Sequence, residues 1–460
     1  MPKDLRTYLK DVGDRLLTIK KEVDPLTNMG IPCAQTKTPI LFENVKGYKG
    51  WSVVSALLPT REFQAIALGT TPENVVPYLG KLFERTPRPC RLVKDGPVKE
   101  KKFIGKDADI TKLPILIHSL EDNGRYIGAG INITKDPDTG VRNLACLRMQ
   151  IRGPHKTGLS IAPRHSLLNY EKWQNMDKPM PMAVVLGHHP AIEIATNYCT
   201  SYPLDELEVA GAMMDEDVEL VKCETIDMEV PAYAEIVIEG EVLPHVREPE
   251  GTFGEFQGYY GVADGIRPVF QVKAITMRED AIYRHIQANA NDHHAFVGLP
   301  MEGRLYKELK DVEGYIDLKD VYLPFYGGMF LVIVQLTPLF EGQVTDVMMA
   351  ALSSSYLHPK VVIVVDEDVN IYDPGDILWA VATRVDPVKD ILMIPNVRNH
   401  PIDPSIFNEL IPAGGGRWQK VGSKVGINAT KPSTSFPDKR KKFRRVRPMG
   451  FGKVDLKDFI

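Results

Sequence analysis

Two carboxylates five residues apart, Glu250 and Glu255, stand in the run Arg247-Glu-Pro-Glu-Gly-Thr-Phe-Gly-Glu-Phe-Gln-Gly-Tyr-Tyr260. On an ideal strand an odd separation sends side chains to opposite faces. Gly251 and Gly254 between them permit a turn or bulge that could bring both acids to one pocket. The competing reading is a surface loop with two solvated carboxylates. Upstream, Asn143 and Arg148 interrupt the largely apolar stretch 142–151. An arginine in such a strand needs a carboxylate partner, and Glu250 or Glu255 supplies one, for catalysis or for structure alone. His165, Glu206 and Asn143 offer an imidazole, a carboxylate and an amide oxygen. That mixed set suits a hard or borderline divalent ion bridging to a phosphate, although spacing alone does not bring the three together.

The elements that must position these groups fall into three textures. Residues 5–17 carry apolar side chains at three- and four-residue steps and predict a helix. Strand-like 40–42 and 52–56 and a helix over 73–83 follow, so the start of the chain reads as a small α/β unit. The charged stretch 94–102 reads as a linker. From about residue 104 to 284, strand-like runs dominate (128–133, 143–151, 182–186, 219–222, 234–238 and 269–276), separated by Gly, Pro and Asp clusters. They predict a mainly antiparallel sheet or barrel, with helices over 205–214 and 301–312. The last third returns to α/β texture: strands 330–336 and 361–365, helices 343–355 and 376–382, in an order that fits a ferredoxin-like or split βαβ arrangement. From Pro432 the chain is rich in Pro, Ser and Lys/Arg. Lys439, Arg440, Lys441, Lys442, Arg444, Arg445 and Arg447 read as a poorly packed, solvated tail or a subunit contact.

Composition excludes several classes of function. The 460 residues are 43% hydrophobic and 25% charged, a globular balance. A net charge of −4 argues against a dedicated nucleic-acid binder. The five cysteines form no CxxC, so neither a disulfide framework nor a structural zinc site is expected. No secretory h-region opens the chain and no apolar run is long enough to span a bilayer, which predicts a cytoplasmic protein. Walker A, GxSxG, HExxH and GxGxxG motifs are absent. Asp366, Asp368 and Asn370 imitate a calcium loop, but Ile371 replaces its glycine, so they read as an acidic turn. His188 and His189 read as a turn beside Pro190.

Taken in order, these stretches resemble the UbiD family of decarboxylases, which use prenylated flavin mononucleotide. The resemblance spans about residues 41–430. It rests on Glu250-Gly-Thr-Phe-Gly-Glu255, on Asn143 with Arg148, on Pro163 with His165, and on Glu206 with Gly211. Glu219-Leu-Val-Lys-Cys223, Ala234-Glu-Ile-Val-Ile-Glu-Gly240 and Asp366-Glu-Asp-Val-Asn370 followed by Trp379 and Thr383-Arg384 add to it. The resemblance implies an α+β fold: an α/β N-terminal region (1–103), a flavin-binding split β-barrel domain (104–300), a linking helix (301–318) and an α/β C-terminal oligomerisation domain (319–460).

It further implies that Arg148, Glu250 and Glu255 form the catalytic network. Asn143, His165 and Glu206, with Arg148, bind the cofactor, and the first three hold Mn2+ or Mg2+ against its phosphate, with K+ nearby. Many relatives carry a phosphate-contacting Lys after the strand matching 330–336, and residues 331–349 contain none. The expected reaction is reversible non-oxidative decarboxylation of an aromatic or heteroaromatic acid, furan dicarboxylic or hydroxybenzoic acids among them, or else of an α,β-unsaturated acid. Expected partners are the acid and CO2, a flavin prenyltransferase that supplies the cofactor, and further copies of the chain as a homodimer or larger homo-oligomer, without membrane or nucleic acid. His293, His294 and Arg304 fall where the family borders the substrate, and are expected to meet a second polar or anionic group on the ring. The rival readings are a flavoprotein without decarboxylase activity and a nucleic-acid-associated protein acting through the basic tail.

Overall fold

A computed structural model describes residues 2–161, 164–198, 204–261, 265–406, 410–412 and 418–459. Pro163, one of the motif residues, and Cys199 lie outside the described residues. The chain divides into two compact units. One comprises Met1–Lys307, Leu323–Phe330 and His400–Asn408; the other comprises Glu308–Tyr322, Leu331–Asn399 and Glu409–Ile460.

In the first unit, Asp4 and Thr7 form a reciprocal capping box that starts the helix Leu5–Val12. The helix predicted to reach residue 17 stops early. Gly13 adopts φ 60° and the chain turns into the strand Leu17–Ile19. That strand joins Ile40–Phe42, Ser52–Ser55 and Ile282–Arg284 in a four-stranded sheet.

The larger sheet has nine strands. Its path runs Tyr126–Ile127, Met149–Ile151, Lys156–Leu159, Ile266–Met277, Ile236–Pro249, Met180–Leu186, Ile131–Lys135, Arg142–Cys146, and Lys101–Ile104 pairs with Ile266–Met277. Its pairings are antiparallel and the sheet curls into an open half-barrel. The expected mixed α and β fold built on a split barrel is therefore present. The expected linker at 94–102 is not: Val98 and Lys99 are buried and Lys101 begins a strand. Lys99 tolerates burial because its ammonium lies 3.0 Å from Glu224 and 3.6 Å from Glu239.

The run 143–151 is two strands rather than one. Arg142–Cys146 pairs with Ile131–Lys135, whereas Met149–Ile151 pairs with Tyr126–Ile127 and Lys156–Leu159. The chain changes partners at Leu147 and Arg148. Strand alternation is broken there, so Asn143 and Arg148 need not face opposite ways.

In the second unit a sheet ordered Asp317–Tyr322, Leu331–Thr337, Val361–Val365, Trp418–Ala429, Ile391–Asn399 packs on Gln343–Leu352 and Pro374–Arg384 around Ile333, Ile363, Val365 and Ile377. Most of the basic tail is solvated as expected, with Lys439, Lys441, Lys442, Arg444 and Arg447 exposed, but Arg440 and Arg445 anchor it. Asp366 is fully buried and meets Arg440 at 2.6 Å and Lys431 at 3.1 Å; Arg445 lies 3.9 Å from the Trp379 ring centre and bonds Asp376. A buried carboxylate needs such partners, and the tail supplies them. These cations also occupy the acidic turn that imitated a calcium loop. The helix expected from residue 301 spans Asn291–Glu313 with Pro300 inside it. Among the described residues, no helix is long and apolar enough to cross a membrane.

Candidate active site

Arg148 stands at the point where the chain changes strand partners, and both acids of the motif reach it. Its Nε and Nη2 donate to Glu250 Oε1 and Oε2 at 2.9 and 2.8 Å, a bidentate pair, and its Nη1 donates to Glu255. Arg267 Nε donates to Glu250 Oε2 at 2.9 Å. The Arg148 guanidinium also lies 5.5 Å from the Phe253 ring centre.

The odd spacing of the acids is resolved by a turn. The strand Ile236–Pro249 ends just before Glu250. Gly258 N–H then donates to Glu255 O at 3.1 Å, and Gly261 N–H to Phe253 O at 2.9 Å. The motif glycines are required by close approach. A Cβ on Gly251 would lie 2.1 Å from Asn123 Cβ, and one on Gly254 would lie 2.6 Å from Ser119 Oγ.

The two acids differ in environment. Burial raises the proton affinity of Glu250, but Arg148 and Arg267 outweigh it and hold its carboxyl below the usual range. For Glu255 burial dominates; the Glu250 charge adds to it and Arg148 only partly opposes it, so its pKa is raised. Burial disfavours the Arg148 cation, yet its bonds to Glu250 and the charge of Glu255 raise its pKa overall. The result is one acid whose ionised form is favoured and one whose protonated form is favoured relative to an ordinary carboxyl, the pattern of a site that divides clamp from acid.

Asn143 belongs to the same run as Arg148, and its Nδ2 donates to Ser166 Oγ at 2.8 Å in the first turn of the helix His165–Asn175. Glu206 opens the helix Glu206–Met214, capped by Asp205, and its Oε2 accepts the Leu144 N–H at 2.9 Å. Asn143, His165 and Glu206 thus lie on three neighbouring elements tied together beside one strand. Burial pushes Glu206 up to about 8, and the neighbouring Asp205 charge adds to it. Burial lowers the His165 pKa and favours its ligating, neutral form. A buried carboxylate, an imidazole that favours its neutral form and an amide are a donor set whose chemistry fits a divalent cation. Among the described residues no three His, Cys, Asp or Glu side chains cluster as a metal site, and this set includes only two of those types.

His293 and His294 lie in the first turn of the helix Asn291–Glu313, against the residue that follows Glu255. His294 Nε2 lies 2.6 Å from Phe256 O, and the His293 ring stands edge-on to Phe256 with centres 6.2 Å apart. The Asn289 N–H donates to His293 Nδ1 at 3.2 Å, so Nε2 carries the proton of the neutral ring. Burial pushes their pKa values down to about 3 for His293 and about 4 for His294. Arg304 is not brought to this group. It lies eleven residues on, about 16 Å along the helix axis, with its guanidinium 5.1 Å from the Phe83 ring centre. Of the three expected substrate contacts, the structure brings His293 and His294 together beside Phe256 and does not bring Arg304 to them.

Sequence reasoning missed His118, Asp122, Tyr126 and His285. The His118 ring lies 5.4 Å from Phe253 and 4.6 Å from His285. The Tyr126 hydroxyl donates to the Gly251 and Thr252 carbonyls at 3.2 Å. Nothing in their spacing pairs His118, Asp122 and Tyr126 with a loop some 130 residues away, or His285 with the same loop about 30 residues before it. His188 and His189 are indeed at a turn, where His189 caps the helix Pro190–Thr196.

Family models for the N-terminal, Rift-related and C-terminal domains of 3-octaprenyl-4-hydroxybenzoate carboxy-lyase match residues 9–83, 91–289 and 294–429. The chain belongs to the UbiD family. It is 34% identical to the anhydromevalonate phosphate decarboxylase of Methanothermobacter thermautotrophicus over 96% of this chain and 99% of that one. It is similar to the UbiD-class enzyme HmfF from Pelotomaculum thermopropionicum, solved with FMN, at 37% identity and TM-score 0.90, covering 99% of this chain and 100% of the other. It also matches the 3,4-dihydroxybenzoic acid decarboxylase of Enterobacter cloacae at 28% identity and TM-score 0.89, covering 100% and 99%. The protein is thus a UbiD-type decarboxylase of a flavin-dependent family, and the Arg148, Glu250 and Glu255 cluster lies within its Rift-related domain.

Proposed function

We propose that this UbiD-type enzyme catalyses the reversible, non-oxidative decarboxylation of an aromatic or heteroaromatic acid with prenylated FMN, and that Arg148, Glu250 and Glu255 carry the reaction. The observation that carries the proposal is one half-buried guanidinium shared by two carboxylates whose proton affinities are shifted in opposite directions.

A guanidinium has five N–H donors. Three are engaged by Glu250 and Glu255, which leaves two for a substrate carboxylate. Glu250, ionised and bidentate, fixes the plane of Arg148, and Arg267 fixes Glu250. Glu255 keeps its proton until the substrate carbon has lost CO2, then delivers it from the carboxyl oxygen to that carbon; in the reverse direction it removes it. Burial of both acids keeps bulk water from competing for the proton. When bound, prenylated FMN supplies the electron sink that loss of CO2 from an sp2 carbon requires, because no side chain can hold that electron pair. Asn143, His165 and Glu206 would hold Mn2+ or Mg2+ against its phosphate, with K+ alongside.

Phe253, Phe256, His118, His285 and His293 place rings beside this cluster, which supports a flat substrate. The neutral imidazoles suit a ring hydroxyl or heteroatom without demanding a second anion. The relatives named for anhydromevalonate phosphate support a second reading, an α,β-unsaturated acid. The proposal includes a cytoplasmic homo-oligomer with the division 1–103, 104–300, 301–318 and 319–460, loaded by a flavin prenyltransferase. The test is co-expression with such an enzyme, a mass measurement of the bound flavin, and CO2 release from 3,4-dihydroxybenzoate, furan-2,5-dicarboxylate, cinnamate and anhydromevalonate phosphate. Turnover of a ring acid supports the first reading. Turnover of anhydromevalonate phosphate alone replaces it with the second, and an unmodified FMN in active enzyme overturns the cofactor.

A further inference from the structure

The loop that carries Glu255 leaves its strand at Pro249 and is pressed onto the segment 118–126. Asn123 N–H donates to Thr252 O at 2.9 Å, the Tyr126 hydroxyl reaches the Gly251 and Thr252 carbonyls, and the Tyr260 hydroxyl accepts the Glu121 N–H at 3.1 Å. A further tie runs through a carboxyl side chain. Asp122 Oδ1 accepts the Gly254 N–H at 2.9 Å, while Oδ2 accepts the N–H groups of His118 at 3.1 Å and Ser119 at 2.9 Å. One carboxylate therefore closes its own turn and grips the peptide directly before Glu255. Gly254 makes the grip possible, since a Cβ there would meet Ser119 Oγ at 2.6 Å and hold the loop away.

Glu255 needs an anchor of this kind. Arg148 spends two donors on Glu250 and one on Glu255, and among the described residues the Glu255 backbone is otherwise bonded within its own turn, to Tyr259 and Gly258. We propose that Asp122 is a positioning residue for decarboxylation: by holding the Gly254 peptide it keeps the Glu255 carboxyl against Arg148, in place to deliver its proton. The proposal rests on the reading of Glu255 as proton donor. It predicts a consequence that a merely structural carboxylate would not have. The groups facing Glu255 are Arg148, Glu250 and Arg267, and burial is the largest influence on it. A released loop hydrates Glu255, lowers its proton affinity and makes it lose its proton at lower pH.

The experiment uses prenylated-FMN-loaded wild type, Asp122→Ala, Asp122→Asn and Glu255→Gln, with the acid of the panel above that releases CO2 fastest. For Asp122→Ala the expected result is a kcat lower by roughly 10- to 100-fold, the factor that one hydrogen bond to a charged group is worth. Flavin content stays unchanged, KM stays within about threefold because the substrate contacts remain, and the alkaline limb of the kcat profile moves to lower pH. Asp122→Asn keeps one acceptor oxygen and shows the same changes at smaller size; it carries the test if the alanine variant does not fold. An unchanged kcat and pH profile in the folded variant overturns the proposal. So does a loss of activity that follows loss of folded protein or flavin with the shape of the profile intact. Full turnover by Glu255→Gln refutes the donor reading itself, and a dead Glu255→Gln beside an unaffected Asp122→Ala refutes only the role of Asp122.

Discussion

Glu255→Gln separates proton delivery from architecture. The amide preserves the shape of the side chain, and its oxygen still accepts the Nη1 N–H of Arg148. A contact between the guanidinium and a protonated carboxyl becomes one between the guanidinium and an amide dipole, so the cost to the fold is at most about 2 kcal/mol. Arg148 keeps its bidentate hold on Glu250, at 2.9 and 2.8 Å, and the substrate-binding donors stay in place. What disappears is the transferable proton. General acid catalysis is worth roughly 100-fold or more, about 2.7 kcal/mol of barrier.

The pH dependence of stability gives an independent check. Burial raises the Glu255 pKa, so its favourable contribution is fully present below the unfolded value and is lost as pH rises through the folded one. Glutamine has no such loss, so the melting temperature of the variant should gain on wild type as pH increases. The assay is CO2 release by the loaded enzyme at saturating acid, with flavin absorbance and thermal melts at several pH values. Turnover within about threefold of wild type would refute the reasoning, as would a melting difference that moves the other way with pH.

Three further outcomes are expected. His165→Ala or Glu206→Ala should lower metal and flavin content together, because phosphate and carboxylate repel without a cation between them; metal analysis and flavin absorbance of the purified variants test this, and normal contents in both would dissolve the shared site. Gly251→Ala should cut kcat about 100-fold while the protein still folds, since its Cβ, 2.1 Å from that of Asn123, must displace the loop bearing both acids. Arg304→Ala should leave the order of preferred acids unchanged and lower stability by at least about 0.5–1 kcal/mol, the contact with Phe83 being among those it loses, as read from the substrate panel and a thermal melt.

The chemistry of the site was legible in residue types. An arginine amid apolar neighbours demanded a carboxylate, two acids with glycines between them offered it, and both bind that arginine. The strand-rich middle and the α/β ends followed from the two- and 3.6-residue periods of apolar residues. Local pattern could not decide where a strand changes partners. The run 142–151 looks continuous, but its halves pair with different strands, and that break places Arg148. Nor could it show that a charged stretch is buried. Lys99, Arg440 and Arg445 look solvated in sequence and are held by Glu224, Asp366 and Asp376, which come from distant parts of the chain. Nor could local pattern show that Arg304 stands apart from His293, since eleven residues of helix carry the two away from each other. Asp122 had no signal at all. Its partner, the Gly254 N–H, is a backbone group 132 residues away, and backbone groups leave no trace in a sequence until the fold brings them to a side chain.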